Sequence, residues 1–526
     1  MKSFYSRISY SSALIAWVLF AITKSGFADG VISNGTSMKV HSGTYFTESG
    51  NRSIQTGAVF DIWGNATIQG LLNNLGDYSG IIIESNINGT GSLIYNSGTP
   101  EATIERYLTD NCWHMIGPAA DNVLSGQYFF NNSPMVWIKK YVEANDNYEY
   151  ITGLNIPLQR AKGYAYWIDN SKSDVLTEIH GSLSATTLVL SSNSSPALEY
   201  SNQGFNLIAN PYSSSIDWDN PNWEFINMEE SIWVWDPLDN GGNFKSRNSA
   251  GLGEMANGII PSSQGFFVKA ISSNPSITIP SAAKTHSDQS FYKSQSSIKD
   301  LLSYLVIEVK KGNYWDEVWL GFSDQATEGF DNGLDISKLM GEVTAPQLYL
   351  VEQDDLLLSI DLLPELNNGE YRSVAMNFEA KENGMHQFKI THQQNMEGVQ
   401  VFLEDLKYDV LTELFLDEEI SLFASVNDDF NRFILHFNPV NTYTNTSLDE
   451  SSQIYSFHQS VYISLSEQLT MQAKTIYIYD ITGRLIFTEN LDAGSFHKIP
   501  LQIHHQSVLV KLQFPQKTIT KNLMIQ

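Results

Sequence analysis

Residues 204–218 read GFNLIANPYSSSIDW, and residues 112–122, CWHMIGPAADN, have the same character. Both stretches place an aromatic residue before a hydrophobic pair, and both continue with a small residue and a turn that contains proline. Because alternating apolar residues bounded by turn residues are typical of β-strands, each stretch predicts a strand that ends in a tight turn. The recurrence of this pattern raises the question of a duplication.

The surrounding sequence repeats in the same order. WHMIGPAAD, MVWIKKYVEANDNYEYI and PLQRAKGYAYWID, within residues 113–169, are echoed by FNLIANPYS, SIWVWDPLDNGGNFKSRN and IPSSQGFFVKA, within residues 205–270. Each copy supplies an apolar strand, a hairpin with tryptophan and a glycine-aromatic strand. We therefore predict that residues 101–284 form a duplicated β-sandwich or jelly roll in which two incomplete halves pack face to face. The alternative is a chance match of short apolar-aromatic patterns in a β-rich chain.

The whole chain has the composition of an all-β protein. It has 526 residues, of which 42% are hydrophobic and 12% aromatic, so it can bury several cores. Turn residues recur roughly every eight to twelve positions between short apolar runs, a spacing typical of β-sandwiches and solenoids. One cysteine, Cys112, excludes an internal disulfide.

Two further β regions flank the duplication. Residues 29–100 contain short apolar groups separated by Gly and Asn, which predicts a short β-solenoid-like segment because each group is too short to bury its own face. Residues 301–437 alternate apolar and polar residues, as in YLVIEVKKG and HQFKITH, and resemble an immunoglobulin-like β-sandwich. Polar stretches at residues 285–300 and 438–453 are predicted linkers.

The first 28 residues have the pattern of a secretory signal peptide. Lys2 and Arg7 precede an apolar run, and Gly26 and Ala28 provide small residues at the predicted cleavage site. The run is too short for a stable membrane span, so we expect no transmembrane segment in the mature chain. Removal of residues 1–28 changes the formal charge from –27 to –30. Such a charge disfavours nucleic-acid binding.

Residues 454–526 carry the most specific motif of the sequence. The segment contains KTIYIYDITGR, AGSFHKIPL and a terminal KNLMIQ, which predict a small C-terminal β-sandwich with tight turns. These motifs resemble, in order and position, the type A-like C-terminal sorting domain of the type IX secretion system of Bacteroidetes. The residues that carry the resemblance are Tyr479, Asp480, Gly483, Arg484, Gly494 and Lys521.

The resemblance implies a route and a location. It implies export by the Sec machinery, passage through the type IX translocon, and either release or attachment to surface lipopolysaccharide. The expected location is extracellular or on the outer-membrane surface. Upstream segments such as ERYLTDNCWHMIGPA and DEVWLGFSDQATEGFDNGLD resemble the large adhesin-like surface proteins that carry such tails.

The expected function is therefore non-catalytic, adhesin-like binding of a glycan or a host or cell-surface ligand. The sequence contains no GxSxG, HExxH or P-loop motif. A glycan-binding accessory module is the first alternative, and a hydrolase with an unrecognised site is the second. The candidates for stacking against sugar rings are Trp218, Trp223, Trp233 and Trp235. The competing interpretation is that these tryptophans pack the core.

Two loops are rich in carboxylates and amides, the oxygen ligands that calcium prefers. They are WDPLDNGGN at residues 235–243 and FSDQATEGFDNGLD at residues 322–335. The candidate ligands are Asp236, Asp239, Asp324, Asp331 and Asp335. Neither loop has EF-hand spacing, and the same residues are common in ordinary turns. Apart from calcium, no cofactor is expected.

Overall fold

The computed structural model describes most of the chain after the predicted signal peptide. The described residues are 29–525, apart from 130–135, 170–174, 195–202, 240–241, 256, 288–301, 353–355, 367–370, 397, 409, 440–452, 458, 466, 473, 481–483, 504–505 and 516–517. The predicted signal peptide at residues 1–28 and most of both predicted linkers lie outside them. The chain divides into two compact units, residues 1–440 and 441–526.

The described structure is all-β, as predicted. Besides strands it contains one short α-helix, α1 (Glu467–Thr470), and four 3₁₀ turns at Tyr78–Gly80, Ser125–Tyr128, Glu143–Asn145 and Ser281–Ala283.

The N-terminal strands stack side by side in parallel, which confirms the solenoid-like arrangement. One sheet contains β1, β4, β6 and β10, with β3 paired to β6, and the other contains β2, β5, β7, β11 and the antiparallel β18, Val175–Ser182. Their inward residues share one core, because no single rung buries its own apolar face. The strands are β1 Gly30–Ile32, β2 Ser37–Val40, β3 Tyr45–Glu48, β4 Arg52–Ile54, β5 Val59–Ile62, β6 Asn65–Asn74, β7 Ile81–Ile83, β8 Ser85–Asn86, β9 Gly89–Thr90, β10 Ser92–Ser97 and β11 Glu101–Leu108.

The next region contains two four-stranded sheets. Its strands are β12 Trp113–Ile116, β13 Val123–Leu124, β14 Val136–Val142, β15 Asn147–Ile151, β16 Pro157–Leu158, β17 Tyr164–Ile168, β18 Val175–Ser182, β19 Leu188–Ser191, β20 Phe205–Ala209, β21 Ser215–Asp217, β22 Glu224–Ile226, β23 Ser231–Asp236, β24 Asn243–Asn248, β25 Ile259–Ile260, β26 Gly265–Lys269, β27 Ser276–Ile279 and β28 Lys284–Thr285.

The two sheets have the same topology. The strand order is β12-β17-β14-β15 in the first sheet and β20-β26-β23-β24 in the second. When the four strands of each sheet are numbered along the chain, both sheets have the order 1-4-2-3. The repeated sequence therefore corresponds to a repeated strand arrangement, which a chance match of apolar patterns does not explain.

The two copies contact each other reciprocally. Ile116 of the first copy forms a β-bridge with Gln264 of the second, and Ile208 of the second forms one with Lys162 of the first. Both copies also contribute residues to one core, including Met115 and Phe267, together with residues of β29 (Ser303–Lys311), β30 (Tyr314–Ser323) and β33 (Leu357–Pro364).

Residues 302–439 form one continuous sheet of eleven strands around a core of their own. The order is β37-β36-β39-β34-β32-β33-β30-β29-β35-β38, with β31 paired to β33. An immunoglobulin-like sandwich has two sheets, whereas this region has one continuous sheet. The strands are β29 Ser303–Lys311, β30 Tyr314–Ser323, β31 Ile336–Ser337, β32 Gln347–Val351, β33 Leu357–Pro364, β34 Arg372–Glu379, β35 Gly384–Gln394, β36 Val399–Asp405, β37 Val410–Leu414, β38 Glu419–Ala424 and β39 Phe433–Pro439.

The C-terminal unit contains two small sheets, β40-β41-β44 and β43-β42-β45-β46, that enclose a separate core. Its elements are β40 Gln453–Phe457, β41 Ser460–Ser464, α1 Glu467–Thr470, β42 Lys474–Asp480, β43 Leu485–Leu491, β44 Phe496–Pro500, β45 Gln506–Gln513 and β46 Thr518–Ile525. Alternating burial along β42, with Ile476 and Ile478 inside, explains its IYIYD sequence.

Candidate functional site

Three carboxylates converge where β31, β32 and β33 meet. Asp335 directly precedes β31, Asp361 lies within β33, and Glu352 directly follows β32. Because Ile336 pairs with Ile360 in antiparallel register, the preceding residue Asp335 and the following residue Asp361 are brought side by side. One carboxylate oxygen from each of the three acids lies within 4.8 Å of the others. We call these three residues the acidic site.

Backbone groups hold Asp335 in place. Its Oδ1 accepts a hydrogen bond from the Leu362 N–H at 2.8 Å, and its Oδ2 accepts one from the Asp331 N–H at 2.6 Å. Asp361 is only 3% exposed, yet its Oδ1 has no hydrogen-bond partner, and the buried Oε1 of Glu352 has none either. Asp335 is therefore anchored, whereas the other two acids keep unpaired oxygens.

Burial and mutual repulsion shift the pKa values of this group upward. Burial raises the pKa of Asp335 to about 8, and the charges of Asp361 and Glu352 add to the shift. Burial, followed by the charges of Glu352, Glu328 and Asp331, raises the pKa of Asp361 to about 7. Burial also raises the pKa of Glu352. The site is therefore electrostatically unfavourable for three ionised acids unless a positive charge compensates them.

The structure places the five predicted calcium ligands differently from one another. Within the described chain, Asp335 is the only one of the five in the acidic site. Asp331 lies beside it and accepts hydrogen bonds from the backbone and hydroxyl of Thr327. Asp324, in the same connection, is exposed.

The acids of the other predicted calcium loop, residues 235–243, interact with neighbouring protein groups. Asp236 accepts a hydrogen bond from the Leu238 N–H at 3.0 Å. Asp239 forms an ion pair with Lys245 and accepts a hydrogen bond from Trp315 Nε1 at 3.3 Å.

Sequence reasoning missed Glu352 and Asp361. Glu352 follows the apolar strand QLYLV, and Asp361 interrupts the apolar strand LLSIDLLP. Neither residue lies in a turn rich in Asp and Asn. The available signal was the single acid inside β33, because a lone carboxylate in a buried strand needs a partner.

The four predicted sugar-stacking tryptophans are buried. Trp233 and Trp235 belong to the core shared by the two copies, and Trp218 packs against Trp223 with ring centroids 5.0 Å apart. None of the four is more than 8% exposed. Stacking on a sugar ring requires an exposed indole face, so the predicted exposure is wrong and the competing interpretation as core residues fits. For Trp233 and Trp235 the cause is that β23, with the run SIWVWD, is buried on both faces, between two cores, whereas Trp218 and Trp223 belong to one of these cores.

A narrow cleft lies between β23–β24 and β30. Its lining includes Trp233, Glu254, Trp315, Glu317 and Lys338. Burial raises the pKa of Glu317 to about 8, and the neighbouring charge of Glu254 adds to the shift. Glu254 in turn accepts hydrogen bonds from the backbone and hydroxyl of Ser246 at 2.7 Å.

The motif residues of the C-terminal unit surround two turns. The Arg484 N–H and Nε donate to the two carboxylate oxygens of Asp480 at 3.0 Å, and the Asp480 N–H donates to the Arg484 carbonyl at 2.9 Å. Asp480 is buried at the end of β42, directly after Tyr479, and these hydrogen bonds join it to Arg484. Gly483 lies outside the described residues.

The remaining two motif residues lie further along the unit. The Gly494 N–H donates to Asp492 Oδ1 at 3.1 Å, which forms the second turn. Lys521 lies in β46, opposite Val510.

Large apolar side chains are exposed together on the eleven-stranded sheet. We call Met385, Leu406, Tyr408, Phe423 and Phe430 the apolar patch; each is about half exposed. Met385 and Phe423 are directly opposite each other on β35 and β38.

Buried Arg432 links the other members of the apolar patch. Its Nη1 donates to the Phe423 carbonyl at 3.0 Å, and its guanidinium lies 5.2 Å from the Tyr408 ring centroid. The Leu406 N–H donates to the Arg432 carbonyl at 2.8 Å. An ion pair with Asp405 fixes the guanidinium.

A search for membrane-spanning helices finds none among the described residues. The model of a family described as a domain of unknown function, DUF8693, matches residues 21–437. No curated protein matches the chain.

Solved structures give matches with low scores. A β-glucuronidase from an uncultured Clostridium species has 8% identity and a TM-score of 0.12, with 27% of this chain and 35% of that chain covered. This chain thus spans about a third of that protein. The BSP domain of a biofilm-associated protein has 9% identity and a TM-score of 0.16, with 82% and 90% covered. A Ca²⁺-stabilised, ice-binding adhesin of an Antarctic bacterium has 10% identity and a TM-score of 0.11, with 80% and 99% covered. Scores this low do not establish a shared fold.

Proposed function

The chain belongs, through residues 21–437, to the DUF8693 family, and we propose that it is a non-catalytic, adhesin-like binding protein that its C-terminal unit delivers to the cell surface or the medium. The observation that carries the binding function is the apolar patch. Large apolar side chains exposed near one another are costly in water and commonly mark a site of protein or ligand contact.

The construction of the apolar patch supports this role. Arg432 holds the backbone carbonyl of Phe423, and Asp405 in turn fixes the Arg432 guanidinium. Aromatic side chains held in place lose little conformational entropy on binding, which favours affinity. Tyr408 and Phe423 are therefore the residues expected to anchor a ligand.

The C-terminal unit supports the delivery function. It lies beyond the family match, forms its own compact unit and has its own core. The sequence motif that resembles a type IX sorting signal includes Asp480 and Arg484, which are hydrogen-bonded to each other. We propose that this unit directs export through the type IX translocon, after which the protein is released or attached to surface lipopolysaccharide.

Binding of the purified mature chain to immobilised polysaccharides and host matrix proteins tests the proposed function. We expect saturable binding to one class, and a loss of affinity of about 30-fold or more in Tyr408→Ser and Phe423→Ser, because truncating a central aromatic residue of an interface costs about 2 kcal/mol or more. Val343→Ser is the matched control, since Val343 is exposed outside the apolar patch.

Two results would contradict the proposal. One is binding that both patch variants leave unchanged. The other is a self-associated wild-type chain, measured by light scattering, that becomes monomeric in the patch variants, because the patch would then be covered by a second copy.

A further inference from the structure

We infer that Asp335, Glu352 and Asp361 bind one divalent cation, with Ca²⁺ preferred, and that this cation secures the attachment of the Asp331–Asp335 loop to the duplicated region. The geometry fits a single ion. Calcium–oxygen distances are about 2.3–2.6 Å, so two ligands of one Ca²⁺ lie at most about 5 Å apart. The three carboxylate oxygens of the acidic site lie within 4.8 Å of one another.

The unpaired oxygens point to a ligand rather than to a closed hydrogen-bond network. Asp361 is 3% exposed, contributes an oxygen to the acidic site, and leaves its Oδ1 without a partner. Glu352 Oε1 is likewise buried and without a partner. A buried carboxylate that lacks partners is strongly destabilising, and a bound cation removes that cost.

Neighbouring charges strengthen the preference for a cation. The charges of Glu328 and Asp331 raise the pKa of Asp361, and the charge of Arg372 lowers it. Arg372 forms an ion pair with Glu328 at 3.0 Å. The surroundings of the acidic site are therefore strongly negative.

The donor set selects the type of ion. All three ligands are carboxylates, which suit hard cations, whereas structural zinc sites use mainly sulfur and nitrogen. Asp335 and Asp361 lie at paired strands, but Glu352 directly follows β32 and its carboxylate has one unpaired oxygen. Calcium accepts a flexible arrangement of oxygen ligands, whereas magnesium requires a near-ideal octahedron, so three carboxylates from separate elements favour calcium.

The cation would reinforce a contact between two regions. In the loop that ends at Asp335, the Oδ1 of Asn332 accepts a hydrogen bond from the Glu230 N–H at 2.9 Å. The carbonyl of Gly333 accepts one from the Ala250 N–H at 3.3 Å, and Leu334 accepts one from Asn248 Nδ2. Fixing Asp335 by a cation therefore fixes the loop that contacts the duplicated region.

Calorimetric titration of the chelator-treated mature chain with CaCl₂, together with thermal unfolding with and without Ca²⁺, tests the inference. We expect one saturable site and a higher melting temperature with Ca²⁺, because a ligand that binds only the folded state stabilises it. MgCl₂ should bind more weakly. Asp361→Asn and Glu352→Gln should each weaken Ca²⁺ binding by at least about 100-fold, since even indirect support of metal ligands contributes up to this factor.

Asp324→Asn is the matched control, because Asp324 is an exposed acid of the same connection, outside the acidic site. It should bind Ca²⁺ as the wild type does. Without Ca²⁺, Asp361→Asn should be at least as stable as the wild type, since it removes a buried charge. Circular dichroism shows whether this variant is folded. If it is misfolded, Glu352→Gln is used in its place. The inference is overturned if the wild type shows no saturable binding, if both site variants bind normally, or if Asp324→Asn loses binding equally.

Discussion

The carboxyl group of Glu317 lies in the cleft where the duplicated region meets the eleven-stranded sheet. Its Oε1 accepts a hydrogen bond from Trp319 Nε1 at 2.8 Å, and Glu254 and Lys245 contribute opposing charges. Burial is the largest influence and raises the pKa of Glu317 from its ordinary value of 4.5 to about 8. The folded protein therefore holds a proton at neutral pH that the unfolded chain releases.

This difference predicts a pH dependence of stability. As pH rises from about 4.5 to about 8, the unfolded state loses its proton first, so the free energy of unfolding falls by an amount on the order of a few kcal/mol. Glu317→Gln keeps an acceptor for Trp319 and cannot ionise, so we expect its melting temperature to exceed that of the wild type near pH 8 and to match it near pH 4.5. Glu418→Gln, at an exposed acid, is the control. Identical pH profiles of wild type and Glu317→Gln would refute this prediction.

Single residues also mark the limit of the sequence-based site prediction. Asp335 was predictable because Asp, Asn and Gly cluster around it in the chain. Asp361 and Glu352 were not, because their proximity to Asp335 depends on the pairing of β31 and β32 with β33. Pairing between segments distant in the chain is not encoded in local spacing. The predicted exposure of Trp233 and Trp235 was wrong for a related reason, because it depends on which elements cover each face of β23.

At the scale of elements, the two copies contact each other through equivalent positions. The Gly117 N–H donates to the Ser263 carbonyl, and the Ala209 N–H donates to the Ala161 carbonyl, both at 2.9 Å. Ala161 and Ser263 also share a left-handed backbone, with φ of 64° and 62°. Such conformations cost energy for residues other than glycine. Their occurrence at matching positions indicates that the reciprocal contact imposes them.

Two equivalent glycines permit this close approach. A Cβ at Gly163 would lie 2.6 Å from Leu207 Cγ, and a Cβ at Gly265 would lie 2.8 Å from the carbonyl carbon of Met115. We therefore expect Gly163→Ala and Gly265→Ala each to reduce the free energy of unfolding by about 1–3 kcal/mol, as overpacking does. Chemical denaturation of both variants checks this.

Gly329→Ala is the matched control, because a Cβ there meets no atom within 4 Å. It should change stability little. If Gly163→Ala and Gly265→Ala behaved like Gly329→Ala, the two copies would not be packed as tightly as the structure indicates.

Sequence periodicity predicted the types of elements better than their assembly. Alternation and turn residues predicted strands throughout, and the repeat predicted two like sheets, because both signals are local. The shared core between the copies and β29, β30 and β33 was not predicted. The extension of the solenoid sheet by β11 and β18 was not predicted either, since β18 joins it from about 70 residues further along the chain.

At the scale of the whole molecule, two compact units with separate cores correspond to two proposed tasks. Residues 1–440 contain the apolar patch and the acidic site, and residues 441–526 contain the motif that resembles a type IX sorting signal. The C-terminal unit completes its hydrophobic core with its own residues. The proposed delivery function should therefore be transferable to another protein.

Transfer of export to a fluorescent protein tests the delivery function. Residues 1–28 at its N-terminus and 441–526 at its C-terminus should bring the protein to the surface or medium of a bacterium that has the type IX system, but not in a strain without the translocon. Asp480→Ala should reduce export, because it removes both acceptors that hold Arg484 at the end of β42. Glu489→Ala, at an exposed acid of β43, should not. Retention of the fusion in the periplasm of both strains would contradict delivery by the C-terminal unit. Equal export of Asp480→Ala and the unmodified fusion would show that the translocon does not recognise the hydrogen-bonded pair of Asp480 and Arg484.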